Sequence, residues 1–145
     1  MKKVSLARKT EAKVREIHNE CARHIENDNH VALKAFLDKH PDVFVNDIID
    51  SNGKTLLHEC TFNDSYKCLK LVIDYGRAQL ARDGRSEQLV HWINMKDQGD
   101  GFVALHFASF KGNPDACDLL IEAGADLNAI NNFGINMLHV AAQGD

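Results

Sequence analysis

No run of about 18 apolar residues occurs in this sequence, and a helix that crosses a bilayer needs at least that many. The N-terminal stretch MKKVSLARKTEAKVR is basic but has no apolar core, so it does not read as a secretory signal. Basic residues are not in excess overall. The formal net charge is −4 and the pI about 6.0, which argues against a phosphate-tracking nucleic-acid surface. The four cysteines, Cys21, Cys60, Cys68 and Cys117, form no CxxC pair. Each falls where a helix would bury a small side chain, so they read as reduced core thiols of an intracellular protein, cytoplasmic or the cytosolic part of a membrane protein. A glycine-rich phosphate loop is missing, and "DGRSE" and "DQGDG" place acids where a phosphate would sit. "DQGDG" also lacks the twelve-residue ligand ladder of a calcium loop. No serine or cysteine nucleophile recurs with a histidine and a carboxylate in a triad pattern. The expectation is a chain without catalytic residues, without a cofactor and without membrane insertion by this segment.

What is present is repetition. The chain has 145 residues, 44% hydrophobic and 26% charged, which suits one globular domain with a sizeable core. Leu105-His106 is echoed by Leu138-His139, 33 residues later, and a period near 33 points to stacked helical units. Gly101 stands five residues before His106, Gly134 five before His139, and Gly53 five before His58. "CLKLVIDYG" matches "ACDLLIEAG" at an offset of 48, which is 33 + 15. Fourteen of those surplus residues lie between Gly76 and Asn94; the last lies in "DQGDG".

A fainter copy comes earlier. Leu33, Phe36 and Leu37 have helical spacing, and Val45-Asn46 parallels Ile93-Asn94 and Leu127-Asn128. Upstream, Val14, Ile17, Cys21 and Ile25 form one helical stripe. Each clear unit reads as a turn, a short helix, a turn and a longer helix. In the third, a helix over about 104–110 is broken at Gly112, Pro114 opens the next, and Gly124 ends it. The expected organisation is an all-α solenoid of about three and a half units. Residues 1–49 form a degenerate N-terminal cap, 50–96 a unit with an insertion at 77–92, 97–130 a regular unit, and 131–145 a truncated one. Within the insertion, Leu80, Leu89, Val90 and Trp92 flank a charged turn, which reads as a helix extension and a return segment anchored by Trp92. Its Arg82 and Arg85 are candidates for an acidic partner.

"DSNGKTLLHECTFND", "DGFVALHFASFKGN" with "DLLIEAGADLNA", and "NNFGINMLHVAA" resemble the ankyrin repeat family, whose pattern is D-x-x-G-x-T-P-L-H-x-A-A-x-x-G followed by L-L-x-x-G-A-D-V-N. The resemblance covers about residues 28–145. No unit keeps both residues of the T-P pair: the positions hold Thr55-Leu56, Val103-Ala104 and Asn136-Met137. Asp64 replaces the mid-repeat glycine. A fold less stable than a regular array is expected.

The resemblance implies that His58, His106 and His139 are braces bonded to backbone rather than catalysts. His18, Cys21 and His24, three apart on one helix, offer three zinc ligands but no evident fourth, so they read as ordinary helix residues and no metal is expected. His30 and His40 read as solvated turn residues. The family's concave face, carried over position by position, places partner-binding residues at the hairpin tips: Ser51, Asn52 and Lys54; Asp100 and Phe102; Asn132, Phe133 and Ile135. On the short helices it places Phe62, Asn63, Phe110 and Lys111. These imply a monomeric, non-enzymatic module that binds a protein or peptide. The alternative is the substrate-recruiting front end of a larger enzyme, since "LHVAAQGD" resembles segments of ankyrin-bearing DHHC-type protein acyltransferases. The half unit at the C-terminus leads to the expectation that the array continues in a longer protein.

Overall fold

The computed structural model describes residues 2–135, with side chains from residue 11 onward. Seven α-helices lie within them: α1 (Lys2–Glu26), α2 (His30–Asp38), α3 (Leu56–Phe62), α4 (Tyr66–Arg82), α5 (Gln88–Ile93), α6 (Ala104–Phe110) and α7 (Pro114–Glu122). There is one 3-10 turn, Val45–Asp47, and no strand among the described residues beyond an isolated bridge between Ile49 and Thr55. The truncated helix expected around His139 lies outside the described residues.

The three helix pairs share one turn geometry. Asp28, Asp64 and Gly112 each follow a first helix at positive φ, +47°, +55° and +67°. The residue after each donates its N–H back across the helix end: Asn29 to His24 O, Ser65 to Cys60 O and Asn113 to Ala108 O. This closes orphan carbonyls as a Schellman cap does, and aspartate is one of the few non-glycine types that tolerates the left-handed region. Asp64 thus does the work of the expected glycine. Its carboxylate also accepts from Asn113 Nδ2 at 2.8 Å, joining two units at that corner. The second helices start on side-chain caps at Asn29 and Asn113, each accepting from the N–H three residues on, with Pro114 at the first helical position of α7.

First helices stack on first helices (α1 on α3, α3 on α6) and second helices on second helices (α2 on α4, α4 on α7). The core lies between the layers. Ile17, Cys21 and Ile25 of α1 meet Leu57 and Cys60 of α3, with Leu33, Leu37, Leu69, Val72 and Ile73 behind them and Leu105, Ala108 and Leu120 continuing the stack. All four cysteines are free. Burial pushes the Cys21 and Cys68 thiols up to about 12, so both stay neutral and unreactive near pH 7.

The surplus residues fold back. α4 extends to Arg82, and α5 returns along it with Trp92 fully buried. The indole lies against the backbone of Gly76, where an added Cβ would sit 2.5 Å from Trp92 Cζ3 and 2.9 Å from Val45 Cγ2. Arg85, expected at the partner surface, stacks on Phe44 at 4.6 Å and pairs with Asp83. Glycine-to-alanine changes inside helices ordinarily stabilise by up to ~1 kcal/mol. Gly76→Ala is expected to do the reverse, destabilising by about 1–3 kcal/mol through overpacking. A lower urea midpoint at unchanged slope is the expected readout, and a raised midpoint would show that the indole does not press on this helix.

Candidate functional site

Each unit begins with a hairpin turn whose first residue folds its side chain inward. Asp50 Oδ1 accepts from the N–H groups of Asn52 and Lys54, Asp97 Oδ1 from Asp100, Gly101 and Phe102, and Asn131 Oδ1 from Phe133 and Ile135. Successive tips are laced together: Gln98 N–H donates to Asn52 O and Asn132 N–H to Asp100 O, both at 2.8 Å. Gly53, Gly101 and Gly134 hold φ of +74°, +77° and +74° at the turn that makes this possible.

The histidines brace the tips. His58 Nδ1 accepts from Thr55 N–H at 3.0 Å, and Nε2 donates to Phe102 O of the next unit at 2.8 Å. His106 repeats this with Val103 N–H and Ala129 O, both at 3.0 Å. A backbone donor on one nitrogen and a carbonyl on the other fix the neutral tautomer with the proton on Nε2. Both rings are buried, and burial holds both below the usual histidine range of 6.5.

A proton on His106 Nδ1 would displace the Val103 N–H. The folded state therefore takes up that proton at lower pH than the unfolded chain, and stability is lost as pH falls below about 6.5. An NMR titration of the His106 ring is expected to give a value below 6.5. Unfolding free energies at pH 7.5 and pH 5.5 are expected to differ less in His106→Asn than in the wild type. A His106 value above 6.5 would contradict the brace.

The braces set an aromatic floor. Phe107 lies edge-on to His58 at 6.0 Å and to Phe62 at 5.8 Å, and Phe102 packs on Phe107 at 5.3 Å and on His106 at 5.6 Å. Phe62, Phe102, His106, Phe107, Phe110, Lys111 and Ile135 line an open cleft of about 230 Å³. Phe62 and Phe110 are each 53% exposed at its rim. Two ammonium groups lie over the Phe62 ring, Lys111 Nζ at 5.2 Å and Lys54 Nζ at 5.7 Å from its centroid.

Of the residues expected to bind a partner, the cleft gathers Phe62, Phe102, Phe110, Lys111 and Ile135, with Lys54 beside them. The rest lie apart. Ser51 borders a different hollow facing α1. Asn52 and Asp100 spend their carbonyls on the tip ladder, and Asn132 Nδ2 donates to Gly99 O at 3.0 Å. Asn63 caps α3 by donating to Glu59 O at 2.8 Å. Phe133 is 71% exposed and outside the cleft. Phe107, not singled out in the sequence, forms the floor; its i−3 spacing from Phe110 was the available signal.

Of the remaining histidines, His30 and His40 differ from expectation. His18 does not converge with Cys21 and His24: it is buried, with Nε2 3.8 Å from Glu59 Oε1. His24 lies near Glu20 and Phe36. His40 stacks on Phe36 at 4.8 Å, and His30 opens α2; both are half-buried rather than solvated, because helix ends here pack between layers. Among the described residues no helix is long and apolar enough to cross a membrane.

The ankyrin repeat family model matches residues 100–132. Human Ankyrin repeat and SOCS box protein 3 is 32% identical over 83 residues, 57% of this chain and 14% of that protein. Mouse Protein phosphatase 1 regulatory subunit 27 is 32% identical over 88 residues, 61% of this chain and 47% of that protein. The chain thus matches less than half the length of either relative. A chain from the crystal structure of the yeast ribosomal protein Rps3 in complex with its chaperone Yar1 has the same fold, with a TM-score of 0.77 at 22% identity over 90% of this chain and 85% of that one. The helix pairs, the tip ladder and the histidine braces recur from unit to unit, residues 100–132 match that repeat, and the fold is that of an ankyrin repeat solenoid.

Proposed function

We propose that this segment is a non-enzymatic docking module. It takes a protein segment that presents an apolar side chain beside an acidic one, on the face formed by Phe62, Phe102, Phe107 and Phe110. The observation that carries this is the pair of half-exposed phenylalanines at the rim of an aromatic cleft, with two lysine ammonium groups over one of them. An apolar anchor would fill the cleft and expel water from it, while a flanking carboxylate would meet Lys54 or Lys111. The lysines are a local feature, since the chain as a whole is acidic. The family supports the reading in general terms, because ankyrin repeats are protein-interaction units and both curated relatives above have names of that kind, a regulatory subunit and a SOCS box protein. The sequence resemblance behind a DHHC-type host rests on Leu138–Asp145, which lie outside the described residues.

Selection of a displayed peptide library on the immobilised protein tests the reading. The wild type is expected to enrich peptides with a large apolar residue next to Asp or Glu. Phe62→Ala/Phe110→Ala is expected to enrich none of them; recovery of the same peptides on both would refute it.

A further inference from the structure

The stack brings together three side chains far apart in sequence. His18 of α1, Asp50 of the first hairpin tip and Glu59 of α3 each offer a ligand atom, and the three atoms lie within 4.8 Å of one another. His18 is only 2% exposed, yet neither ring nitrogen has a hydrogen-bond partner among the described residues. That is anomalous beside His58 and His106, whose rings are satisfied on both sides. Its Nε2 points at Glu59 from 3.8 Å, too far for a hydrogen bond but close to the spacing of two ligands on one metal.

From this geometry we infer that His18, Asp50 and Glu59 form a binding site for a divalent transition-metal ion of the zinc type. Asp50 is already fixed, because one of its oxygens accepts two backbone N–H groups. Glu59 sits on the first turn of α3, a rigid element whose start is capped by Thr55. The charged groups around Glu59 are Asp50 and Glu26 on one side and Lys54 on the other, so with Glu59 itself carboxylates outnumber ammonium groups three to one beside the His18 ring. Beside the tip, Glu11, Asp47 and Asp50 with Arg15, Val14, Ile49 and Ser51 line an open hollow of about 420 Å³, which gives an ion a path from solvent to Asp50. One imidazole with two carboxylates selects a borderline ion over magnesium or calcium, which prefer all-oxygen sets. A fourth position is left for water. Such an ion would pin α1 to α3 and to the hairpin tip at the N-terminal end of the stack.

Isothermal titration of the full chain with Zn²⁺ at neutral pH is expected to show saturable one-to-one binding that a large excess of Mg²⁺ does not displace. Co²⁺ is expected to give visible d–d bands without a thiolate charge-transfer band, since no cysteine is a ligand. Glu59→Gln keeps the shape of a partly exposed side chain and is expected to weaken binding at least about tenfold, because loss of even an outer partner of a ligand costs that much. His18→Gln is expected to abolish it. Absence of saturable Zn²⁺ binding, a thiolate band, or unchanged affinity in Glu59→Gln would each overturn the assignment. The outcome at this site is independent of the peptide selection, which reads the Phe62 face.

Discussion

Truncating Trp92 to alanine is expected to lower the unfolding free energy by about 3–5 kcal/mol, the range for emptying a buried aromatic site. A domain of ordinary stability has about 5–15 kcal/mol in total, so this one change is expected to leave the chain partly unfolded at 37 °C. The indole fills the space between α4 and the turn at Val45, and with Ile93 it is the part of the return segment buried in the core. Around it the contacts are polar and specific. Gln79 Oε1 accepts from Val45 N–H at 2.9 Å, and Gln79 Nε2 donates to Val43 O at 3.1 Å. Asn94, two residues after Trp92, accepts from Asp126 N–H at 2.7 Å and donates to Gly124 O at 3.0 Å. Val90 of the insertion also lies against Gly124, so the return segment and Asn94 together join the second and third units. Trp92→Phe is expected to cost far less than Trp92→Ala, because the indole Nε1–H has no partner among the described residues and its removal forfeits no hydrogen bond to them. Urea unfolding followed by far-ultraviolet circular dichroism measures both. Equal losses for the two variants would mean that the ring volume is not what holds the segment.

The insertion also shows how far the sequence could be read. Its apolar ends and the single tryptophan were enough to anticipate a helix extension and a return segment. They did not show where the indole would land, because that depends on Gly76, one turn layer away, lacking a side chain. The same boundary recurs elsewhere. The spacing of Gly101, His106, Gly112, Pro114 and Gly124 placed α6 and α7 because these residues act locally, through φ values, caps and backbone hydrogen bonds. Asp28 was missed as the turn residue of the first pair, since an aspartate at positive φ carries no signal as sharp as glycine's. The aromatic cleft was legible only in part. Phe62 and Phe110 sit at equivalent positions of two units, but Phe107 meets Phe62 across the interface between units, and that contact depends on the stacking offset. The grouping of His18 with Asp50 and Glu59 was hidden for the same reason: α1 must lie on α3 before the three converge.

Removing the rim phenylalanines is expected to have the largest effect on binding. Residues that anchor an interface through desolvated aromatic contacts typically cost 2 kcal/mol or more on truncation, about 30-fold in affinity. Phe62 is the proposed anchor. It is half exposed, so its loss removes little from the core; it is flanked by two ammonium groups; and it packs edge-on to Phe107. Phe110 faces the same cleft from the end of α6, with Lys111 following it. Neither residue belongs to the buried core, so the double variant is expected to keep its helicity.

The most direct measurement is the affinity, by fluorescence anisotropy, of a peptide selected on the wild type for the wild type and for Phe62→Ala/Phe110→Ala, with circular dichroism recorded on both. The account predicts a loss of at least about 30-fold with superimposable spectra. Affinities within about twofold of each other at equal helicity would contradict it, because an aromatic anchor site cannot lose both rim rings so cheaply.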